Sequence, residues 1–116
     1  MRKFATAGFV GLLIAGIATA FAMTPLELEN LARCVNEERP LTPDAVIAGC
    51  TDLTRMTGYN KGKSLAWVLV NRGNAYADKG DRVRALADFN QAIRLDPRNG
   101  LAYTGRGIVH RANGDT

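Results

Sequence analysis

Arg72-Gly73 recurs as Arg106-Gly107, and Gly80-Asp81 recurs as Gly114-Asp115, each pair 34 residues after its first occurrence. Coincident offsets of one length in a chain of 116 residues mark an internal repeat. A unit of that size cannot cover its own apolar face, so the chain must fold by stacking units on one another.

Within the period the residues spell out two helices. Ser64 is placed to cap a helix running to about Lys79, with Gly80 as its stop. Along it Leu69, Gly73, Tyr76 and Ala77 share one stripe at helical spacing. Asp81 then caps a second helix whose inward stripe is Ala85, Phe89, Ala92 and Ile93. Asp96-Pro97 ends it, because the residue before proline disfavours helical geometry.

Residues 66–99, read as Gly73, Tyr76, Gly80-Asp81, Ala85, Phe89, Ala92 and Asp96-Pro97, resemble one complete tetratricopeptide repeat. The resemblance implies an all-α fold, stacked antiparallel helical hairpins forming a right-handed solenoid. Gly73, Ala85 and Ala92 match the family's small positions, and Tyr76, Phe89 and Pro97 its large and turn positions. Arg72 and Arg106 depart from the apolar residue usual at their position, so the departure is itself repeated.

Two further stretches extend the stack to about two and a half hairpins. Residues 24–57 read as a degenerate first hairpin. Thr24-Pro25-Leu26-Glu27 forms a capping box, Leu28, Leu31, Ala32 and Val35 make one face, and Pro40 breaks the chain. Thr42-Pro43-Asp44 opens its second helix, with Val46, Ile47, Cys50, Leu53 and Thr54 along one side, Gly58 as its end, and a polar loop over 59–63. Residues 100–116 begin a truncated repeat through Tyr103, Gly107 and His110. Its second helix is missing, so the chain is expected either to be a fragment or to self-associate through this incomplete hairpin.

The N-terminus looks like a secretory signal. Arg2 and Lys3 precede an uncharged run over 4–23 that ends in the small-residue sites Ala18-Thr19-Ala20 and Ala20-Phe21-Ala22. The rival is an uncleaved anchor, since a run of that length could span a bilayer. Cleavage after Ala22 (or Ala20) makes residues 1–22 a signal peptide and 23–116 the mature repeat domain, periplasmic or secreted, with no stable membrane insertion. Signal, early cysteine pair and repeats together resemble small exported bacterial proteins of the repeat family.

In an exported chain the two cysteines, Cys34 and Cys50, read as one disulfide. The repeat agrees. If Cys50 stands where Phe89 stands, the residue 16 positions earlier, Cys34, is the counterpart of Gly73. A bond would replace the Gly–Phe contact between crossing helices.

Catalysis, metal and cofactor chemistry find little support. His110, the single histidine, sits where Tyr76 sits one repeat earlier and reads as packing. Cys34, Cys50 and His110 lack the close-spaced pairs of a zinc site, and no C-x-x-C is present. The glycines fall at helix crossings and ends rather than in a phosphate loop. Of 15 Lys and Arg against 11 Asp and Glu, two basic residues leave with the signal, and no basic stripe interleaved with aromatics suggests nucleic acid.

What remains is binding of a protein or peptide. By the resemblance, the first helix of each hairpin lines a concave groove, which assigns Trp67, Val70, Asn71, Asn74 and Asp78, then Leu101, Thr104, Ile108 and Arg111. Trp67 is a binding hot spot or a packing residue against the preceding hairpin. Some relatives grip a peptide carboxylate through Lys and Asn. Asn74 matches that clamp, but Val70 and Gly105 stand where a Lys and a further Asn would be. A structural remnant without binding activity of its own, or an enzyme, are the alternative readings.

Overall fold

The computed structural model describes residues 23–35 and 41–114. Among them lie five α-helices and no strand: α1 (Pro25–Val35), α2 (Pro43–Leu53), α3 (Gly62–Asp78), α4 (Arg82–Leu95) and α5 (Gly100–Ala112). The fold is an all-α helical repeat. The signal peptide, the break at Pro40 and the recurrence at Asp115 fall outside the described residues.

Local chemistry sets most of the helix ends. The Thr24 N–H donates to Glu27 Oε2 at 2.6 Å, and the Glu27 N–H donates back to Thr24 Oγ1 at 3.2 Å, a reciprocal capping box. Thr42, Asp81 and Asn99 accept from Ala45, Arg84 and Ala102 and cap α2, α4 and α5. Gly80 turns the chain with φ at 80°, a conformation costly for any residue with a Cβ.

Four expectations need correction. Ser64 does not cap α3; the helix starts earlier, with the Leu65 N–H bonded to the Lys61 carbonyl. Gly58 does not end α2, which stops at Leu53. Thr54 folds its hydroxyl onto the Thr51 carbonyl at 2.6 Å, and Gly58, at φ 98°, serves the following turn. Tyr59, placed in a polar loop, packs partly buried on the first hairpin. The inward face of α1 is rotated from the one periodicity suggests: Asn30 and Cys34 are buried, whereas Leu28 is 53% exposed. The reason lies in α2. Gly49 lets the helices approach so closely that a Cβ there would lie 3.0 Å from the Asn30 carbonyl oxygen, and Cys34 must reach Cys50.

The hairpins pack as α1 on α2 and α3 on α4, with α2 against α3 and α4 against α5 joining them into one stack. Helix α3 is therefore buried on two sides. Val68 and Ala75 meet the first hairpin in a cluster with Cys34, Val46, Cys50 and Leu53. Ala66, Leu69 and Val70 join Ala85, Phe89, Ala92, Ala102 and Val109 in a second cluster. The Cys34–Cys50 disulfide forms, with the Cα atoms 4.7 Å apart. Phe89, fully buried, sits between two glycines: an added Cβ would lie 2.8 Å from its ring at Gly73 and 2.5 Å at Gly105.

Candidate functional site

Helix α3 offers Asn71, Asn74 and Asp78 on one stripe at helical spacing. They line a cleft of about 190 Å³ between α3 and the first hairpin, closed on the other side by Cys34, Val35, Leu41, Pro43 and Val46. Asn71 donates from Nδ2 to the Trp67 carbonyl at 3.2 Å. That bond sets the amide's orientation and leaves its carbonyl oxygen as an acceptor. Asn74 and Asp78 are exposed. The walls are apolar and the floor is amide and carboxylate, so the cleft suits a main-chain segment flanked by small apolar side chains.

The remaining expected groove residues divide. Leu101, Thr104, Ile108 and Arg111 form an exposed stripe along α5, with Leu101 67% and Ile108 53% exposed. The Thr104 hydroxyl donates to the Gly100 carbonyl at 2.9 Å and is held against its own helix. Trp67 is partly buried against the first-hairpin cluster, so its ring is mainly a packing element. Val70 is a correction: at 3% exposed it belongs to the core with Ala102 and Val109 and presents no surface to a partner. Period alone could not show this, because α3 buries residues on both of its sides.

The carboxylate clamp is absent for steric reasons. Val70 is buried where the clamp needs a lysine at the surface, and the Phe89 ring fills the space that a side chain at 105 would need.

One polar element escaped the sequence reading. Arg72 reaches from α3 to α4 and α2 together. It donates from Nε and Nη2 to the two Asp88 oxygens at 2.8 Å each, and from Nη1 to Thr51 Oγ1 at 3.2 Å. Asp88 holds the guanidinium pKa above its ordinary value, against the opposing effect of burial. Arg106 repeats the second contact, from Nη1 to Asn90 Oδ1 at 3.1 Å. Thr51 and Asn90 each follow the corresponding residues Cys50 and Phe89. The repeated arginine is thus a latch between successive hairpins, and its recurrence was the available clue.

Among the described residues no group of three or more His, Cys, Asp and Glu side chains is placed to hold a metal ion. No helix among them is long and apolar enough to cross a membrane.

Comparison with known proteins agrees with this architecture. Residues 66–99 match the family described as Tetratricopeptide repeat. Stress-induced-phosphoprotein 1 of Caenorhabditis elegans is 42% identical over 36 residues, which cover 31% of this chain and 11% of that protein. No solved structure matches the chain. Tetratricopeptide repeats generally mediate protein–protein interaction, and residues 66–99 form one such repeat, made by α3, the Gly80 turn and α4.

Proposed function

We propose that this chain is a non-catalytic binding module of the periplasm or secreted space that holds a protein or peptide along its first-helix face. The observation that carries the reading is the cleft beside α3, where Asn71, Asn74 and Asp78 converge opposite the disulfide-linked hairpin. The amides hydrogen-bond an extended peptide backbone, Asp78 favours a basic group, and the exposed Leu101 and Ile108 supply apolar contact along α5. A free C-terminal carboxylate is not the preferred anchor, because the clamp positions are buried or filled.

The disulfide supports an oxidising compartment, as the Ala-x-Ala sites do. N-terminal sequencing of the exported protein should begin at Met23 or Phe21, and an intact Met1 on membrane-bound protein would overturn export with cleavage. For binding, tagged protein with Asn74→Arg and Asp78→Arg should lose partners that the unsubstituted protein captures from the same compartment, with an unchanged thermal melt. Capture unaffected by both substitutions would remove the cleft from the binding face.

A further inference from the structure

Among the described residues, every polar side chain that lines the cleft beside α3 is an amide or an acid: Asn71, Asn74 and Asp78. No Lys or Arg lines it. Asp78 forms no ion pair among the described residues. The cation next to it in the chain, Lys79, is drawn to the rim, where its Nζ meets Asp44 Oδ1 at 2.5 Å. Asp78 is also the last residue of α3, so the partial negative charge of the helix's C-terminal carbonyls adds to its own. Asn71 donates its Nδ2 to the Trp67 carbonyl at 3.2 Å, so its oxygen remains to accept. A ligand of this cleft must therefore donate hydrogen bonds and carry positive charge. Size narrows it further. At about 190 Å³ the cleft is smaller than the ~300 Å³ at which pockets for drug-sized ligands begin, so it suits the end of a chain better than a segment passing through. Asn71 and Asp78 stand two turns apart on α3, about 10 Å, which is the length of about three extended residues.

We infer that the cleft captures the free α-amino end of a peptide or protein whose first residues are small and apolar. The inference rests on the cleft being the binding face. The α-ammonium donates to the Asp78 carboxylate, and the main-chain N–H groups that follow it reach the amide oxygens of Asn74 and Asn71. The first side chain packs against Leu41 and Pro43, at the end where Lys79 joins Asp44. Two features select the chain end over a lysine side chain. An α-ammonium is followed at once by main-chain donors, which match a row of acceptors spaced along one helix face. A lysine ammonium stands at the tip of an apolar stem that would leave both amides unpaired. A carboxylate end is opposed by the charge of Asp78, with no cation on the lining to offset it.

The probes are a tetrapeptide Ala-Val-Ala-Gly with a free amine and fluorescein on its C-terminus, its N-acetylated twin, and an N-acetylated peptide with one internal lysine. Titrated with purified oxidised protein, the free-amine peptide should bind saturably in fluorescence anisotropy. Acetylation should weaken binding about tenfold or more. Asp78→Asn in the protein should weaken the free-amine peptide by a similar factor and leave the acetylated twin unchanged, with the thermal melt unaltered. Equal binding of the free and acetylated peptides, both lost in Asn74→Arg, would overturn the amine and keep the cleft as a binding face. Tighter binding of the lysine peptide than of the free-amine peptide would overturn the choice of the chain end. If no peptide binds saturably, the amine proposal falls, and capture of partners by the Asn74→Arg protein decides the cleft separately. Capture lost keeps the cleft; capture retained removes it as well.

Discussion

The Arg72 guanidinium meets the Asp88 carboxylate through two parallel bonds of 2.8 Å each, joining α3 to α4 inside a single repeat. Its remaining nitrogen reaches Thr51 on the preceding hairpin at 3.2 Å. One side chain therefore holds a repeat together and ties it to its neighbour. At 6% side-chain exposure Asp88 is nearly dehydrated, and the paired geometry compensates that dehydration.

Removing one partner strands the other. Arg72→Ala leaves a buried carboxylate without its cation and should destabilise the protein by about 2–3 kcal/mol. Arg72→Ala combined with Asp88→Ala should be less destabilising than the sum of the single substitutions. Urea unfolding of the four proteins in a double-mutant cycle measures the coupling, and strict additivity would show that the pair does not act as a unit.

The disulfide closes a loop of 16 residues between α1 and α2. Its loss should lower stability by about 3 kcal/mol in the chain-entropy account. Cys34→Ala with Cys50→Ala should therefore shift the urea midpoint markedly, and α1 should be first to lose amide protection. Thiol titration of unfolded, unreduced protein should find no free thiol; two per chain would show the bond absent.

Three glycines of similar sequence context should behave in opposite ways. Gly73→Ala and Gly105→Ala place a methyl group within 3 Å of the Phe89 ring and should each destabilise by about 1–3 kcal/mol. Gly107→Ala meets open space in a helix interior and should stabilise by up to about 1 kcal/mol. Thermal melts of the three variants decide it.

Asn30 is 1% exposed, and neither its amide nitrogen nor its carbonyl oxygen has a hydrogen-bond partner among the described residues. Asn30→Leu, similar in volume and apolar, should raise stability by about 1 kcal/mol. In a domain of this size that is a gain of about 4–8 °C in melting temperature. A loss on that substitution would show that the amide is satisfied in solution.

Acid should loosen two helix starts. Thr24 lowers the Glu27 pKa, chiefly through its backbone N–H, and the Arg84 backbone N–H lowers that of Asp81. A depressed folded-state pKa contributes stability that is fully present above the ordinary carboxylate pKa of about 4. It is lost as pH falls through the lowered folded value. Stability should thus fall below about pH 4, and Asp81→Asn, which can still cap, should flatten that fall.

What the sequence determined alone was the repeat and its punctuation. The period of 34, the caps at Thr24, Thr42 and Asp81, the Gly80 turn and the stop at Asp96-Pro97 depend on residues near one another in the chain, so spacing reveals them. The cysteine pairing was legible through the same register, since Cys34 and Cys50 occupy the places of Gly73 and Phe89. The tertiary structure decided which faces are covered. Val70 is buried because α3 has neighbours on both sides, and periodicity along a single helix carries no information about a second neighbour. Asn30 rather than Leu28 faces inward because the disulfide and the close approach at Gly49 set the rotation of α1, overriding its apolar pattern. The Arg72–Asp88 bond lay hidden for the same reason. Its two ends look like ordinary surface charges until packing removes the water around them.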